Sequence, residues 1–470
     1  MGNYQCGLCS HTYDDAQEQQ PWDQLASDWM CPVCGSAKTE FSPMESEGAV
    51  SPPVSQEMAP AVSGYLAEWA RPGDEHEIYM ADVHKMAESR QSITEPMRTR
   101  VPTFSWDEIL IKGAQLAKVP LNKEEKVNTE TVIGPKAKHP LVIETPVYIT
   151  HMSFGSLSKE AKLALSKGSA EVKTAICSGE GGILPEELDN AYKYVFEYVP
   201  NKYSVTDEYL ARVDAVEIKI GQSAKPGMGG HLPGSKVTKE IAAIRGFPEG
   251  RDIVSPARFD DIKTRDDLKR IVQRLRNKTE GKPIGIKLAA GNIEADLEVA
   301  LSAKPDFVTL DGRAGATGAA LKFVKAAASV PTLFALYRAR KYMDDSGADG
   351  VSLVITGGFR ISSDFAKALA LGADAVAIGT TAMMACGCQQ YRICHTGKCP
   401  IGLTTQDPQL RARLDIDKSA KRLENFLRVS TEELKDFARL TGNNDIHALS
   451  VTDLCTTNSE ISNHTTIAHV

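Results

Sequence analysis

From residue 141 onward, short β-branched runs alternate with amphipathic stretches, and this alternation constrains the fold more than any other feature of the sequence. The strand candidates are LVIETPVYIT, TAIC, AVEIKI, DIVSP, IGIKL, FVTLDG, VSLVITGG and AVAIG. Strands buried on both faces read as near-continuous apolar runs, and parallel neighbours need crossover segments between them. The helical candidates KEAKLALSKGSAEV, KVTKEIAAIRG, RDDLKRIVQRLRN, EADLEVALSA, LKFVKAAASV and SSDFAKALALGA carry apolar residues at three- and four-residue spacing. Eight strand candidates close a (β/α)8 TIM barrel. An open doubly wound α/β sheet gives the same alternation and stays as the alternative fold.

The flanks are read more simply. Residues 1–42 form a cysteine-containing unit, and residues 43–103 a linker and irregular segment that begins with a Pro-, Ser- and Ala-rich stretch. The barrel domain is expected over 104–455, with FSWDEILIKGAQL as a short amphipathic candidate near its start and C-terminal helices in LRARLDIDKSAKRLENFLRVSTEELKDFARLTG. The Asn- and Thr-rich end, 456–470, is expected to be a mobile tail. A net charge of -7 gives no general attraction to nucleic acid or to an anionic membrane. MGNYQCGLCSHTYDD lacks the basic start and apolar core of a signal peptide, and no apolar run approaches the roughly 20 residues of a membrane span, so a soluble, cytoplasmic protein is expected.

The ten cysteines are grouped: four in the first 34 residues, four between 386 and 399, and Cys177 and Cys455 alone. Cys6-x-x-Cys9 and Cys31-x-x-Cys34 supply two turns that each place two thiolates on one tetrahedral metal. Spacing alone leaves zinc and iron open. The surrounding Tyr4, Tyr13, Asp14, Trp22, Trp29, Pro32, Gly35, Lys38 and Phe41 resemble rubredoxin, with a shorter loop between the cysteine pairs. That resemblance implies a mononuclear Fe(Cys)4 centre carrying one electron, with zinc as the alternative. In the second group Cys388, Cys394 and Cys399, followed by Pro400, put three soft ligands in one loop, which suits an iron-sulfur cluster better than zinc. GCQQYRICHTGKCPIGLTTQDPQLR is similar to the segment of glutamate synthases that binds a 3Fe-4S cluster, and it implies those three cysteines as ligands. Cys386 departs from that pattern and is read as an inert buried thiol, with an additional ligand as the alternative.

The resemblance to the FMN-binding synthase domain of glutamate synthase runs from about residue 104 to 455. MSFGSLS at 152–158, SGEGG at 178–182 and KIGQSAKPGMGGHLPGSKV at 219–237 are placed after the first, second and third strand candidates. The C-terminal strand ends are the barrel face where active sites form, although any one of these glycine-rich motifs alone reads as a tight turn. The resemblance implies FMN held by Met152, Ser153, Gly155, Ser178, Lys219, Lys287, Thr317 and Gly318. Gly357–Gly358 and Gly379–Thr380, after strands seven and eight, are placed to meet the phosphate. It also implies Glu180, Lys219, Gln222, Lys225, Ser235 and Arg245 on the substrate side, and His231 joins them as a catalytic candidate. Arg and Lys suit carboxylates because charge-assisted bonds fix their orientation, and Glu180 is placed to steer imine protonation.

The implied activity is reduction of an imine or 2-oxo acid, such as 2-oxoglutarate plus ammonia to glutamate. Met228 and His231 depart from the family pattern, as do Ala257, Arg258, Phe259 and Asp260, and these departures are expected to reshape the substrate pocket. Two alternatives therefore stay open. One keeps the cofactors but uses another substrate, as in an N-methylglutamate synthase-like reaction or an oxidation. The other is a non-enzymatic electron-transfer subunit of a larger complex. The expected partners are a small-molecule substrate and an electron-donor protein or NAD(P)H reductase. Because the N-terminus is Met1-Gly2-Asn3 and not a nucleophilic cysteine, ammonia is expected free or from a separate subunit. A homo-oligomer is expected, with no nucleic acid and no membrane partner.

Overall fold

Eight parallel strands close a barrel in the order Ala215–Lys219, Ile284–Ala289, Phe307–Asp311, Ser352–Thr356, Ala375–Ile378, Val147–Ile149, Ala175–Cys177 and Lys193–Tyr198. They are β7 (Val147–Ile149), β8 (Ala175–Cys177), β9 (Lys193–Tyr198), β10 (Ala215–Lys219), β13 (Ile284–Ala289), β14 (Phe307–Asp311), β15 (Ser352–Thr356) and β16 (Ala375–Ile378). The structure, a computed structural model, describes residues 3–7, 11–15, 18, 20–44 and 69–470. It contains two units, Met1–Thr94 and Glu95–Val470. Cys9 and the linker stretch 45–68 lie outside the described residues.

The barrel follows from pleat and patterning. Val216 and Ile218 of β10, Ile284, Ile286 and Leu288 of β13, and Val308 and Leu310 of β14 pack in the core under the helices. Their alternate neighbours must therefore face the interior. The outer helices form where the sequence supplies both a cap and an apolar stripe. Thr264 and Asp267 make a capping box on Arg265–Lys278, which buries Leu268, Ile271, Val272 and Leu275. Ser158 caps Lys159–Ala170 by accepting from the Ala161 N–H. Among the described residues no helix is long and apolar enough to cross a membrane.

Three strand assignments change. LVIETPVYIT divides into β6 (Leu141–Ile143), which pairs antiparallel with β5 (Thr131–Ile133) outside the barrel, and the barrel strand β7. DIVSP forms only β12 (Ile253–Val254), which pairs antiparallel with β11 (His231–Leu232) outside the barrel. The third barrel strand is instead β9, KYVFEY, which carries two charged residues and three aromatic rings where a β-branched run was expected. Tyr194, Phe196 and Tyr198 fill the helix-facing layer, so the strand is specified by large rings on its outer face. Lys219 consequently ends the fourth barrel strand, not the third, whereas Lys287 stands on the fifth as expected.

Two peripheral expectations also change. FSWDEILIKGAQL is no amphipathic helix: Trp106–Glu108 makes one 3-10 turn, and β4 (Ile109–Ile111) then pairs antiparallel with β17 (Leu454–Thr456). The segment from Asn458, expected to be mobile, is folded. Asn458 caps the helix Ser459–His464, β18 (Ala468–His469) pairs with β17, and Ile461 and Ile467 are buried. Those two isoleucines anchor an otherwise polar stretch. C-terminal to the cysteine loop, one helix of 25 residues, Ile416–Leu440, packs on Lys159–Ala170.

In the first unit, β1 (Asn3–Cys6) pairs antiparallel with both β2 (Thr12–Asp14) and β3 (Phe41–Met44). Tyr13, Trp22 and Phe41 are buried with Cys6 and Cys31 in one small core, with Tyr4 and Trp29 packed against it. Tyr4 stacks on Trp22 with centroids 4.4 Å apart, and Lys38 Nζ lies 5.3 Å from the Trp22 ring centre. Residues Met80–Ser89 form a helix in the same unit.

Ile461→Ala removes a fully buried side chain and should lower unfolding stability by about 2–5 kcal/mol, read from denaturant or thermal midpoints. An unchanged midpoint would mean that the tail is not packed.

Candidate active site

Loops at the C-terminal ends of the strands enclose a cavity of about 1180 Å3, open mouth included. Glu180, Lys219, Gln222, Lys225, His231 and Arg245 all line it. So do Met152, Ser153, Thr317, Gly318, Gly379 and Thr380. The remaining residues expected to touch a flavin lie elsewhere. Gly357 and Gly358 line a second cleft with Arg98, Arg100, Arg313, Arg360 and Arg392. Gly155 faces Leu232 and Arg245, and Ser178 is buried with its Oγ accepting the Glu197 N–H. Lys287 is buried inside the barrel, in register with Lys219 on one side and Thr309 on the other.

The centre of the cavity is an ion pair. Lys219 Nζ donates to Glu180 Oε2 at 2.6 Å and lies 3.9 Å from Glu197 Oε1. Burial alone would raise the Glu180 carboxyl, but the Lys219 charge and hydrogen bond outweigh it and leave the group at about 2. Burial would lower the Lys219 ammonium, yet Glu197 and Glu180 together raise it. Gly230 makes room for this pair, since a Cβ there would lie 2.6 Å from Glu180 Oε1.

Around the pair stand further basic side chains. Arg245, whose pKa burial lowers, donates from Nη2 to Phe154 O at 2.7 Å and rests over the Tyr203 ring, while its buried Nε has no hydrogen-bond partner. Lys225, also lowered by burial, donates to Gly229 O at 2.9 Å. His231 Nε2 meets Asp252 Oδ2 at 2.7 Å on the half-exposed rim. Ser235 is exposed and does not line the cavity, whereas its neighbour Lys236 does and reaches Cys394 O at 2.6 Å.

The sequence departures expected to reshape the pocket mostly lie outside it. Met228 is exposed, and none of residues 257–260 lines the cavity. Phe259 is buried and stacks on Tyr198 at 5.6 Å. Only His231 among those positions faces the site. Sequence reasoning missed His151, Glu197, Lys236 and Met97, which also line it. Glu197 went unnoticed because its strand did, although an acidic residue in an aromatic run was the available signal.

Cys388, Cys394 and Cys399 share a small apolar cavity of about 340 Å3 with Met97, Met383, Ile401 and Leu403. The three cysteines line this space beside Arg392, with no carboxylate or imidazole among the described lining residues, a donor set that suits a soft metal. Burial raises the Cys388 thiol and takes Cys394 to about 11. Cys386 is buried, does not line this space, and is pushed by burial to about 12. In the first unit, the sulfur atoms of Cys6, Cys31 and Cys34 lie within 4.8 Å of one another. That spacing fits one tetrahedral metal to which further ligands can be added.

The Glu180 carboxyl lies below its ordinary 4.5, so its pairing adds stability above that pH and loses it as pH falls towards 2. Unfolding free energy measured between pH 5 and 2.5 should thus fall less steeply in Glu180→Gln, by up to about 3 kcal/mol over the interval. Equal slopes would refute the ion pair.

Residues 78–444 match the family model described as a conserved region in glutamate synthase. A glutamate synthase large subunit-like protein of Rhizobium meliloti is 39% identical over 378 residues, covering 76% of this chain and 85% of that protein. An archaeal glutamate synthase [NADPH] of Archaeoglobus fulgidus is 34% identical and covers 95% of this chain and 88% of its own. A solved mandelate oxidase structure has a TM-score of 0.47 at 17% identity, covering 75% of this chain and 87% of that one. With a family model spanning most of its length and relatives aligned over most of theirs, the chain belongs to the glutamate synthase family.

Proposed function

We propose that the protein is an FMN- and iron-sulfur-dependent oxidoreductase that converts 2-oxoglutarate and ammonia to glutamate through the imine. The observation that carries this reading is the convergence of Glu180, Lys219, Gln222, Lys225, His231 and Arg245 on one cavity at the barrel mouth. When bound, FMN supplies the hydride that such a reduction needs.

The chain's own residues supply position and charge. Lys225 and Arg245 are the cations for the substrate carboxylates, and the unpartnered Nε leaves Arg245 one donor still free. Glu180, at about 2, is ionised at neutral pH and acts as an acceptor, so it holds Lys219 in place and is not itself the proton donor. The Lys219 ammonium, kept charged by its two carboxylate neighbours, is the proton-bearing group that polarises the oxo or imine carbon. Gly357 and Gly358, beside five arginines, offer the phosphate of FMN close backbone approach and positive charge, and burial with nearby Arg98 pushes Arg360 down to about 10.

Cys388, Cys394 and Cys399 would hold a 3Fe-4S cluster, and Cys6, Cys31 and Cys34, with Cys9, a mononuclear iron. Electron passage from cluster to flavin is supported by walls in common: Met97, Met383, Cys394 and Thr404 line both the thiol cavity and the large one. An electron-donor protein or NAD(P)H reductase would feed the first unit, and a separate subunit or free ammonium would supply nitrogen.

Reduced, FMN-loaded protein mixed without oxygen with 2-oxoglutarate and ammonium should regain its oxidised flavin absorbance, and glutamate should appear in equal amount. Flavin that stays reduced would refute this substrate and favour a different acceptor. In parallel, Cys394→Ser should lose the cluster's electron paramagnetic signal and most of its acid-labile sulfide, while Cys386→Ala keeps both. Loss in both variants would make Cys386 a ligand.

A further inference from the structure

Glu197 is an anomaly within the cavity. It is 1% exposed and lines the space, and neither of its carboxylate oxygens takes a hydrogen bond. Along β9 its side chain alternates with Tyr194, Phe196 and Tyr198, which places it inside the barrel with Val195. Buried carboxylates without donors are costly, and such a group in a cavity marks a place for one.

The neighbouring groups are committed elsewhere. Lys219 Nζ, 3.9 Å from Glu197, bonds Glu180 at 2.6 Å. His151 Nδ1 lies 3.7 Å from Glu197 but receives the Gly179 N–H at 3.3 Å. His151 Nε2 is 2.6 Å from Glu217 Oε2. This network puts the ring hydrogen on Nε2, so Nδ1 has none to offer Glu197. Glu217, in register with Glu197 on the next strand, is already served by His151 and Thr309. What remains is a carboxylate without a donor on a wall whose other carboxylate, Glu180, is taken by Lys219 and which also presents Lys225, Lys236 and Arg245.

We infer that Glu197 seats the cationic nitrogen of an amino dicarboxylate, which on the reading above is the ammonium of glutamate and the protonated imine that precedes it. The charge pattern of the cavity matches such a ligand: two carboxylates find Lys225 and Arg245, and the nitrogen finds Glu197. Glu197 thereby discriminates amino from plain dicarboxylates.

The test is ligand binding to oxidised, FMN-loaded full-length protein, read by calorimetry and by the flavin difference spectrum. L-glutamate is compared with glutarate, which has the same carboxylates and no nitrogen. The unaltered protein should bind glutamate more tightly. Glu197→Gln, which keeps the shape and removes the charge, should lose about tenfold to a hundredfold in glutamate affinity while glutarate binding is retained. Equal affinity for the two ligands in the unaltered protein overturns the inference without any variant. Equal loss for both in Glu197→Gln also overturns it, as does no loss. A shifted flavin potential with discrimination intact overturns it too, and would assign the carboxylate to the flavin ring. Binding of neither ligand by the unaltered protein would refute the dicarboxylate reading itself, and this inference with it.

Discussion

Closing eight parallel strands into a barrel forces alternate residues inward, where there is neither water nor a free backbone group to receive a charge. This chain nevertheless places Glu197, Glu217, Lys219 and Lys287 on inward positions of three adjacent strands. Two of them, Glu217 and Lys219, are held by hydrogen-bonding partners, whereas Glu197 takes no hydrogen bond. Glu217 takes His151 and Thr309, and Lys219 lies between Glu180 and Glu197. Pairing of this kind is the condition for burying ions at all, and it leaves a mouth whose electrostatics are fixed before any ligand arrives.

That pre-set field accounts for the opposite shifts at the centre of the site. One carboxyl is held at about 2 while its lysine partner is held charged, although burial opposes both. The same cavity wall runs on to the cysteine loop through Lys236 and Cys394, and the apolar residues Met97 and Met383 border both spaces. A cavity lined by the Glu180–Lys219 pair and further charged side chains thus shares one partition with the small apolar space beside the cysteines.

Legibility from sequence followed the type of signal. Amphipathic helices such as Arg265–Lys278 were readable because an apolar stripe is a local pattern. The grouping of the cysteines was readable because spacing is local, and the structure gathers Cys6, Cys31 and Cys34 and lines one cavity with Cys388, Cys394 and Cys399. β9 was not, because its aromatic face becomes a strand signal only when helices cover it. DIVSP carried the right local pattern but joined a two-stranded ribbon at the rim. The C-terminal segment looked polar enough to be mobile, yet two isoleucines and a pairing with β17 hold it. Met228 and residues 257–260, suspected of reshaping the pocket, lie outside it, for closeness in sequence to a site motif does not place a side chain in the site.

By itself the sequence determined the barrel class and the grouping of three cysteines in one loop, since each rests on a local periodicity or spacing, whereas the residues at the mouth were implied by the resemblance to the glutamate synthase family. Tertiary structure alone decided which strand comes third, that Glu197 looks into the cavity without a donor, and that Cys386 is turned away from its neighbours' space. Those facts depend on which distant segments cover a face or supply a partner. A buried charge carries no mark in the sequence of whether its partner is there.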